Sequence, residues 1–225
     1  MNSSKDRPDA RVPQGEIAAP YDRLAGVYDI WAALTESRPR RRALDLAKIR
    51  DGQKILEVAV GTGAAFLEIA GRNRHGLNVG IDLSRNMLLI ASKRLKKLSG
   101  TNHTLTVGSA FSLPLKDKSI DLLMNSYVFD LIPSEDVGRV LSEFRRVLGE
   151  GGRMVLVNMT VGQKWGSGLY ELIYRLSPRL IGGCRGVRLT DRLQDNGFTV
   201  ETREYHQQML FPSEVIVAHR STALV

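Results

Sequence analysis

Residues 55–70 read Ile-Leu-Glu-Val-Ala-Val-Gly-Thr-Gly-Ala-Ala-Phe-Leu-Glu-Ile-Ala, and the rest of the chain is organised around them. From Lys54 to Val60 the apolar residues Ile55, Leu56, Val58 and Val60 are nearly continuous, the pattern of a strand buried on both faces of a parallel sheet. Gly61-Thr62-Gly63 breaks that run, and Phe66, Leu67, Ile69 and Ala70 resume at helical spacing. Strand, glycine turn and helix together form the entrance to a nucleotide pocket. Glycine lets backbone approach a ligand closely, and a helix N-terminus offers unpaired N–H groups. Phe66 stands where a dinucleotide fingerprint needs Gly or Ala, so G-x-G-x-x-G is absent. Glu57 is an acid inside an apolar strand, where a bare carboxylate is costly. Asp82 ends the next apolar run, 19 residues beyond Gly63, and is placed to accept both hydroxyls of a ribose.

The words E-V-A-V-G-T-G and V-G-I-D-L-S resemble the S-adenosylmethionine pocket of class I methyltransferases. That family usually carries an acid followed by three alternating glycines; here Glu57 precedes Ala59, Gly61 and Gly63, with alanine in the first glycine's place. The resemblance implies that Gly61 and Gly63 line the methionine moiety and that Asp82 holds the ribose. Tyr21, Glu57, Ala59, Leu83, Met87, Ser109, Ala110 and Asn125 complete the implied cofactor-binding set. Relatives commonly have an Asp facing the adenine amine where this chain has Ser109, which still accepts that bond without a charge. An unrelated Rossmann-like turn, with Asp82 capping beside Ser84, is the competing reading.

Bulk properties set the limits. The chain has 225 residues, enough for one sizeable α/β domain, and 43% hydrophobic with 25% charged residues is ordinary for a globular protein. A net charge of +8 and a pI near 9.8 favour anionic partners: nucleic acid, an acidic substrate or a membrane surface. A solvated basic surface is the plain alternative. Cys184 is the single cysteine, which excludes an internal disulfide, fits the cytoplasm and is too few for a cysteine metal site; no metal is expected. No segment approaches the ~20 apolar residues of a membrane span. Residues 1–16 read as a polar, disordered lead-in and 17–225 as one domain.

Within 17–46, expected as lid helices, Tyr21, Tyr28 and Trp31 crowd three of fourteen aromatics into eleven residues. The Tyr-Asp doublets at 21 and 28 lie two helical turns apart on one face. This resembles the opening of the ubiquinone/menaquinone-type methyltransferases, in which the segment closes over the cofactor; an amphipathic helix packed on the sheet is the alternative. Arg38, Arg40, Arg41 and Arg42 follow, as a membrane-facing cluster or a solvated helix start. Ser84 is expected to cap a helix reaching about Leu98, Leu105–Gly108 a third strand and Leu122–Asn125 a fourth. Asn125, Ser126, Tyr127 and Asp130 then stand at the carboxyl end of that strand, which borders the ligand crevice of a doubly wound sheet. Ser134 is expected to cap a helix with Val137, Val140, Leu141, Phe144 and Leu148 inward, ended by Gly149. Residues 162–188 are expected to form an amphipathic, substrate-side insertion with Trp165, Leu169, Leu172, Ile173 and Leu176 in one stripe and Arg175, Arg179, Arg185 and Arg188 following; a core stripe is the alternative. Thr190–Asn196 closes with a last helix, and Phe198–Tyr205 with Glu214–Arg220 as an antiparallel hairpin. The expected fold is a doubly wound, Rossmann-like α/β protein with a seven-stranded, mostly parallel sheet.

The expected activity is methyl transfer from S-adenosylmethionine to a hydrophobic or lipid-borne acceptor. The sulfonium is already activated, so proximity, alignment and a dry pocket suffice. Tyr28, Tyr127 and Asp130 are the candidates to face the transferred methyl and to take a proton. The tail words G-G-C-R, N-G-F and F-P-S-E-V-I resemble bacterial phospholipid N-methyltransferases, which favours an aminophospholipid head group. The Tyr-Asp doublet favours a quinone precursor, and a soluble metabolite is third. A non-catalytic regulator that binds S-adenosylmethionine is the reading from another class. Nucleic acid is not expected, because the basic residues do not interleave with aromatics as a stacking platform requires. The expected location is the cytoplasm, with a peripheral contact on the inner face of an anionic membrane as an extension.

Overall fold

The computed structural model of the protein describes residues 35–160, 187, 189–209 and 211–221. Five helices and seven strands are named here in chain order. They are α1 (Ser37–Leu46), β1 (Lys54–Val58), α2 (Ala64–Arg72), β2 (Leu77–Asp82), α3 (Arg85–Leu95) and β3 (His103–Val107). β4 (Ile120–Ser126), α4 (Val137–Val147), β5 (Leu148–Met159), α5 (Thr190–Asp195), β6 (Phe198–Gln208) and β7 (Phe211–Arg220) follow. The lead-in, Tyr21, Tyr28, Trp31, Cys184 and the 162–186 part of the expected insertion lie outside the described residues.

The seven strands form one sheet in the order β3-β2-β1-β4-β5-β7-β6. β1 pairs in parallel with both β2 and β4, while β7 runs antiparallel between β5 and β6. This is the mostly parallel sheet with a closing antiparallel hairpin that the pattern of apolar runs predicts. Chain order reverses between β1 and β4, so a crevice opens at their carboxyl ends, the usual ligand position in such sheets.

Alternation along the strands divides the core. Leu56 and Val58 join Leu123, Leu156, Phe144 and Leu193 on one face, and Ile55 joins Leu122, Val155, Val217 and the α1 residues Ala43 and Leu44 on the other. Glu57 therefore points to the α1 face, with Ile55. Phe129 and Phe144 meet edge to face, centroids 5.9 Å apart.

Several boundaries differ from expectation for identifiable reasons. β3 starts at His103, two residues early: paired only to β2 at the sheet edge, it keeps polar residues that hide the strand pattern. α3 ends at Leu95 instead of Leu98, closing in a turn from the Leu98 N–H to the Leu95 carbonyl. Ser134 does not cap α4. A 3₁₀ turn over Ser134–Asp136 leads in, and Asp136 instead accepts from Arg139 at 2.9 Å. Leu148 belongs to β5 rather than to the preceding helix, because it pairs with Ile120 of β4. The hairpin strands are longer than expected, spanning Phe198–Gln208 and Phe211–Arg220.

Arg146 locks the segment before β4 onto α4. It donates to Glu143 through two nitrogens, to Asp117, and to the carbonyls of Leu113 and Leu115, while Glu143 also accepts from the Leu113 N–H.

Candidate active site

A cleft opens at the carboxyl ends of β1, β2 and β4, between the glycine turn and the loop after β4. Its floor and near wall are Val58, Ala59, Gly61, Asp82 and Ser84. Leu83, Met87, Gly108, Ser109, Ala110 and Phe111 line one side, and Ser126, Tyr127, Val128, Leu131 and Ile132 the other. The lining is predominantly apolar with a few polar groups, the usual composition of a small-molecule site.

The glycine turn is held by Asp82. One carboxylate oxygen accepts the Gly61 N–H at 2.7 Å and the other the Ser84 N–H at 2.8 Å. Ser84 Oγ accepts the Met87 N–H at 3.1 Å, capping α3 as expected. The three small residues of the turn do different work. Gly61 has φ +55° and nothing within 4 Å of a built Cβ, so it offers bare backbone to the cleft. Gly63 is not among the residues that line the cleft. At φ +80°, a Cβ there would lie 2.7 Å from Ala91 Cβ, so its smallness lets α2 and α3 pack closely. Ala59 also has a positive φ, +59°, at the position where the resembling family carries glycine.

Ser109 and Ala110 stand on the cleft, and Ser109 Oγ accepts the Phe111 N–H at 3.2 Å, part of a tight loop. Leu83 is 45% exposed beside Asp82, an apolar side chain awaiting cover. Asn125 lies behind the wall, donating to the Val58 carbonyl at 2.9 Å. Tyr127 has a strained φ of +56° and its hydroxyl meets Ser213 Oγ at 3.0 Å. Burial, with Glu36 next, holds its phenol well above the ordinary value. That disfavours Tyr127 as a proton acceptor at neutral pH. Asp130 is fully buried and immediately precedes the cleft residues Leu131 and Ile132.

Glu57 is 3% exposed, and its Oε2 has no hydrogen-bond partner among the described residues. Burial pushes its carboxyl up to about 8; Arg40 opposes the shift and Asp82 adds to it. Glu36, just before α1, is likewise pushed to about 7 by burial, against Arg40 and with Asp130. Sequence reasoning passed over Glu36, because nothing local marks where α1 meets the strand tips. It also passed over Phe111, Val128, Leu131 and Ile132. The apolar doublet after Asp130 was the one available signal for the last two.

The residues fit S-adenosylmethionine: a bare glycine backbone at the turn, a carboxylate at the second strand tip and the exposed apolar side chain of Leu83 beside it. Among the described residues no group of His, Cys, Asp and Glu could hold a metal ion. No described helix is long and apolar enough to cross a membrane.

Known proteins agree with this geometry. Residues 55–152 match the family model described as a methyltransferase domain. The chain is 33% identical over 171 residues to a demethylmenaquinone methyltransferase of Tropheryma whipplei, covering 73% of this chain and 68% of that one. A demethylmenaquinone methyltransferase of Thermus thermophilus is 34% identical over 173 residues, covering 76% of each. A SAM-dependent methyltransferase of Methanosarcina mazei shares the fold with a TM-score of 0.67 at 20% identity, over 80% of this chain and 98% of that one. Motif, sheet order and relatives converge: the chain belongs to the class I S-adenosylmethionine-dependent methyltransferases, in the ubiquinone/menaquinone-type group.

Proposed function

We propose that the enzyme methylates the ring of a hydrophobic quinone precursor. The observation that carries this reading is the extended similarity to demethylmenaquinone methyltransferases, which spans 73% of the chain and reaches well past the cofactor motif. The apolar side of the cleft, Phe111, Val128, Leu131 and Ile132, suits such an acceptor. An aminophospholipid acceptor, favoured by the short tail words, draws no support from these relatives.

In this reading Ala59, Gly61, Asp82, Leu83, Met87, Ser109 and Ala110 hold the cofactor, with Glu57, Gly63 and Asn125 shaping the turn from behind. The lid over 17–46 with Tyr21 and Tyr28, and the acceptor-side insertion over 162–188 of a single domain spanning 17–225, belong to the same proposal; Tyr21, Tyr28 and all but Val187 of 162–188 lie outside the described residues. The bound sulfonium supplies an already activated methyl group. The chain contributes alignment and exclusion of water, which together account for most of the acceleration asked of such a site. Asp130 is the described carboxylate that receives the proton displaced from the acceptor, since Tyr127 holds its own. Arg38 and Arg41, exposed on α1, would serve a peripheral contact with an anionic membrane, whereas Arg42 is paired with Glu204 at 2.7 Å.

The test is incubation with methyl-labelled S-adenosylmethionine and, in parallel, detergent-solubilised demethylmenaquinone in oxidised and reduced forms and liposomes containing phosphatidylethanolamine. Label in the quinone is the expected result. Label in the amine lipid alone would overturn it.

A further inference from the structure

Ser213 touches the cleft wall from a strand 86 positions further along the chain than the wall residue it meets. It stands near the start of β7, is 1% exposed, and pairs across the sheet with Met159 of β5 on one side and His206 of β6 on the other. The preceding Pro212 carbonyl accepts the Thr160 N–H at 3.0 Å, so this end of β7 is fixed to the carboxyl end of β5. The hairpin is fixed to α1 as well. Gln208 Oε1 accepts the Arg38 N–H at 2.9 Å, and its Nε2 donates to Ser37 Oγ at 3.0 Å. From this frame Ser213 Oγ meets the Tyr127 hydroxyl at 3.0 Å, either group being able to donate.

Tyr127 needs such a frame. It belongs to the cleft wall, directly after β4, and its φ of +56° lies in the left-handed region that a bulky L-residue rarely adopts. Backbone of this kind persists only where its surroundings over-determine it. Two contacts do so here. The Tyr127 N–H donates to the Val157 carbonyl of β5 at 2.7 Å, and the phenol at the far end of the side chain meets Ser213. Between these anchors the main chain leaves β4 and sends Val128, Leu131 and Ile132 along the cleft, opposite the turn that Asp82 holds through the Gly61 N–H. Loss of the hydroxyl contact would strand the phenol oxygen and leave one tether against the cost of the left-handed backbone. The wall would then spend part of its time relaxed, and a ligand would have to re-form it on binding. We propose that Ser213 is a positioning residue for the methyl-donor site, holding Tyr127 in its left-handed conformation so that the turn after β4 keeps the cleft wall in place against the cofactor. This rests on the reading that the cleft takes the methyl donor, and it is independent of the acceptor.

The test is calorimetric titration with S-adenosylmethionine and with S-adenosylhomocysteine, well below the Tm of each variant. Both Kd values are expected to weaken about 3- to 10-fold in Ser213→Ala and by the same factor in Tyr127→Phe. The double variant should bind no more weakly than either single one, because the two substitutions break one contact. Ser213→Thr, which keeps the hydroxyl, should recover the affinity. A purely structural role would lower the Tm and leave the Kd values of the folded protein alone. Should Ser213→Ala not fold, Tyr127→Phe removes the same contact from its other end. Asp82→Asn, titrated alongside, reports whether the ligand occupies this cleft. Weaker binding in Asp82→Asn with unchanged Kd values in Ser213→Ala and Tyr127→Phe would overturn the proposal and leave the cleft reading standing. Unchanged binding in all three would overturn both.

Discussion

Ala59 shows how one residue can be legible in type and hidden in consequence. Its place in the sequence marks it as the alanine standing where the family has glycine, but only the backbone reveals a φ of +59°. The left-handed region costs an L-residue roughly 1–2 kcal/mol, while glycine gives back roughly 0.5–1 kcal/mol through greater freedom in the unfolded chain. Ala59→Gly should therefore stabilise the protein by about 0.5–1 kcal/mol, read as an increase in the urea midpoint at unchanged slope. Gly61 and Gly63 were equally visible as glycines, yet spacing could not say that one borders the cleft and the other the α2–α3 contact. That distinction depends on Ala91, 28 residues after Gly63, and so on tertiary packing. Glu36 was invisible as a site residue for the same reason: its environment is made by the strand tips that α1 covers.

At the scale of elements, the glycine turn, the Ser84 cap and the order of helices and strands were written in apolar periodicity and turn chemistry. The entry to α4 was not. Ser134 has the residue type of a cap, but the chain spends a 3₁₀ turn there first. The bracing of the segment before β4 was hidden too, because it joins residues about thirty positions apart. Arg146 there satisfies two main-chain carbonyls and two carboxylates at once. Charge-assisted bonds of this kind are worth roughly 1.5–3 kcal/mol, and removing the donor strands its acceptors. Arg146→Ala is expected to lose about 2–3 kcal/mol of stability in chemical denaturation, with Arg146→Lys recovering only part, since an ammonium cannot reproduce the fork. A loss under 0.5 kcal/mol would show the bracing to be solvent-replaceable.

For the whole molecule, the two raised glutamates set the pH dependence of stability. Their folded values, about 7 for Glu36 and about 8 for Glu57, lie above the unfolded carboxylate value of 4.5. The folded state thus binds more protons than the unfolded one between those limits. The contribution is complete below pH 4.5 and is lost as pH rises through 7 to 8. The salt-bridged carboxylates Glu143 and Glu204 have lowered values and act oppositely, losing their contribution as pH falls through those values. The ligand-free enzyme should therefore melt highest near pH 4.5–5, and its Tm should fall by several degrees or more towards pH 8.5. Glu57→Gln should flatten that alkaline limb in differential scanning fluorimetry. A limb unchanged by the substitution would place the titration elsewhere.

The position of β7 has a consequence for the order in which the protein comes into being. It is made after β6 yet lies between β5 and β6. Until residues 211–220 leave the ribosome, β5 presents a naked edge and β6 has no partner in the sheet. The nucleotide-binding half is already synthesised by then, so a nascent chain can own a cofactor cleft before it owns a finished sheet. Early cofactor binding would then act as a clamp on the unfinished half, and the exposed β5 edge is where chaperones or stray strands would compete for it.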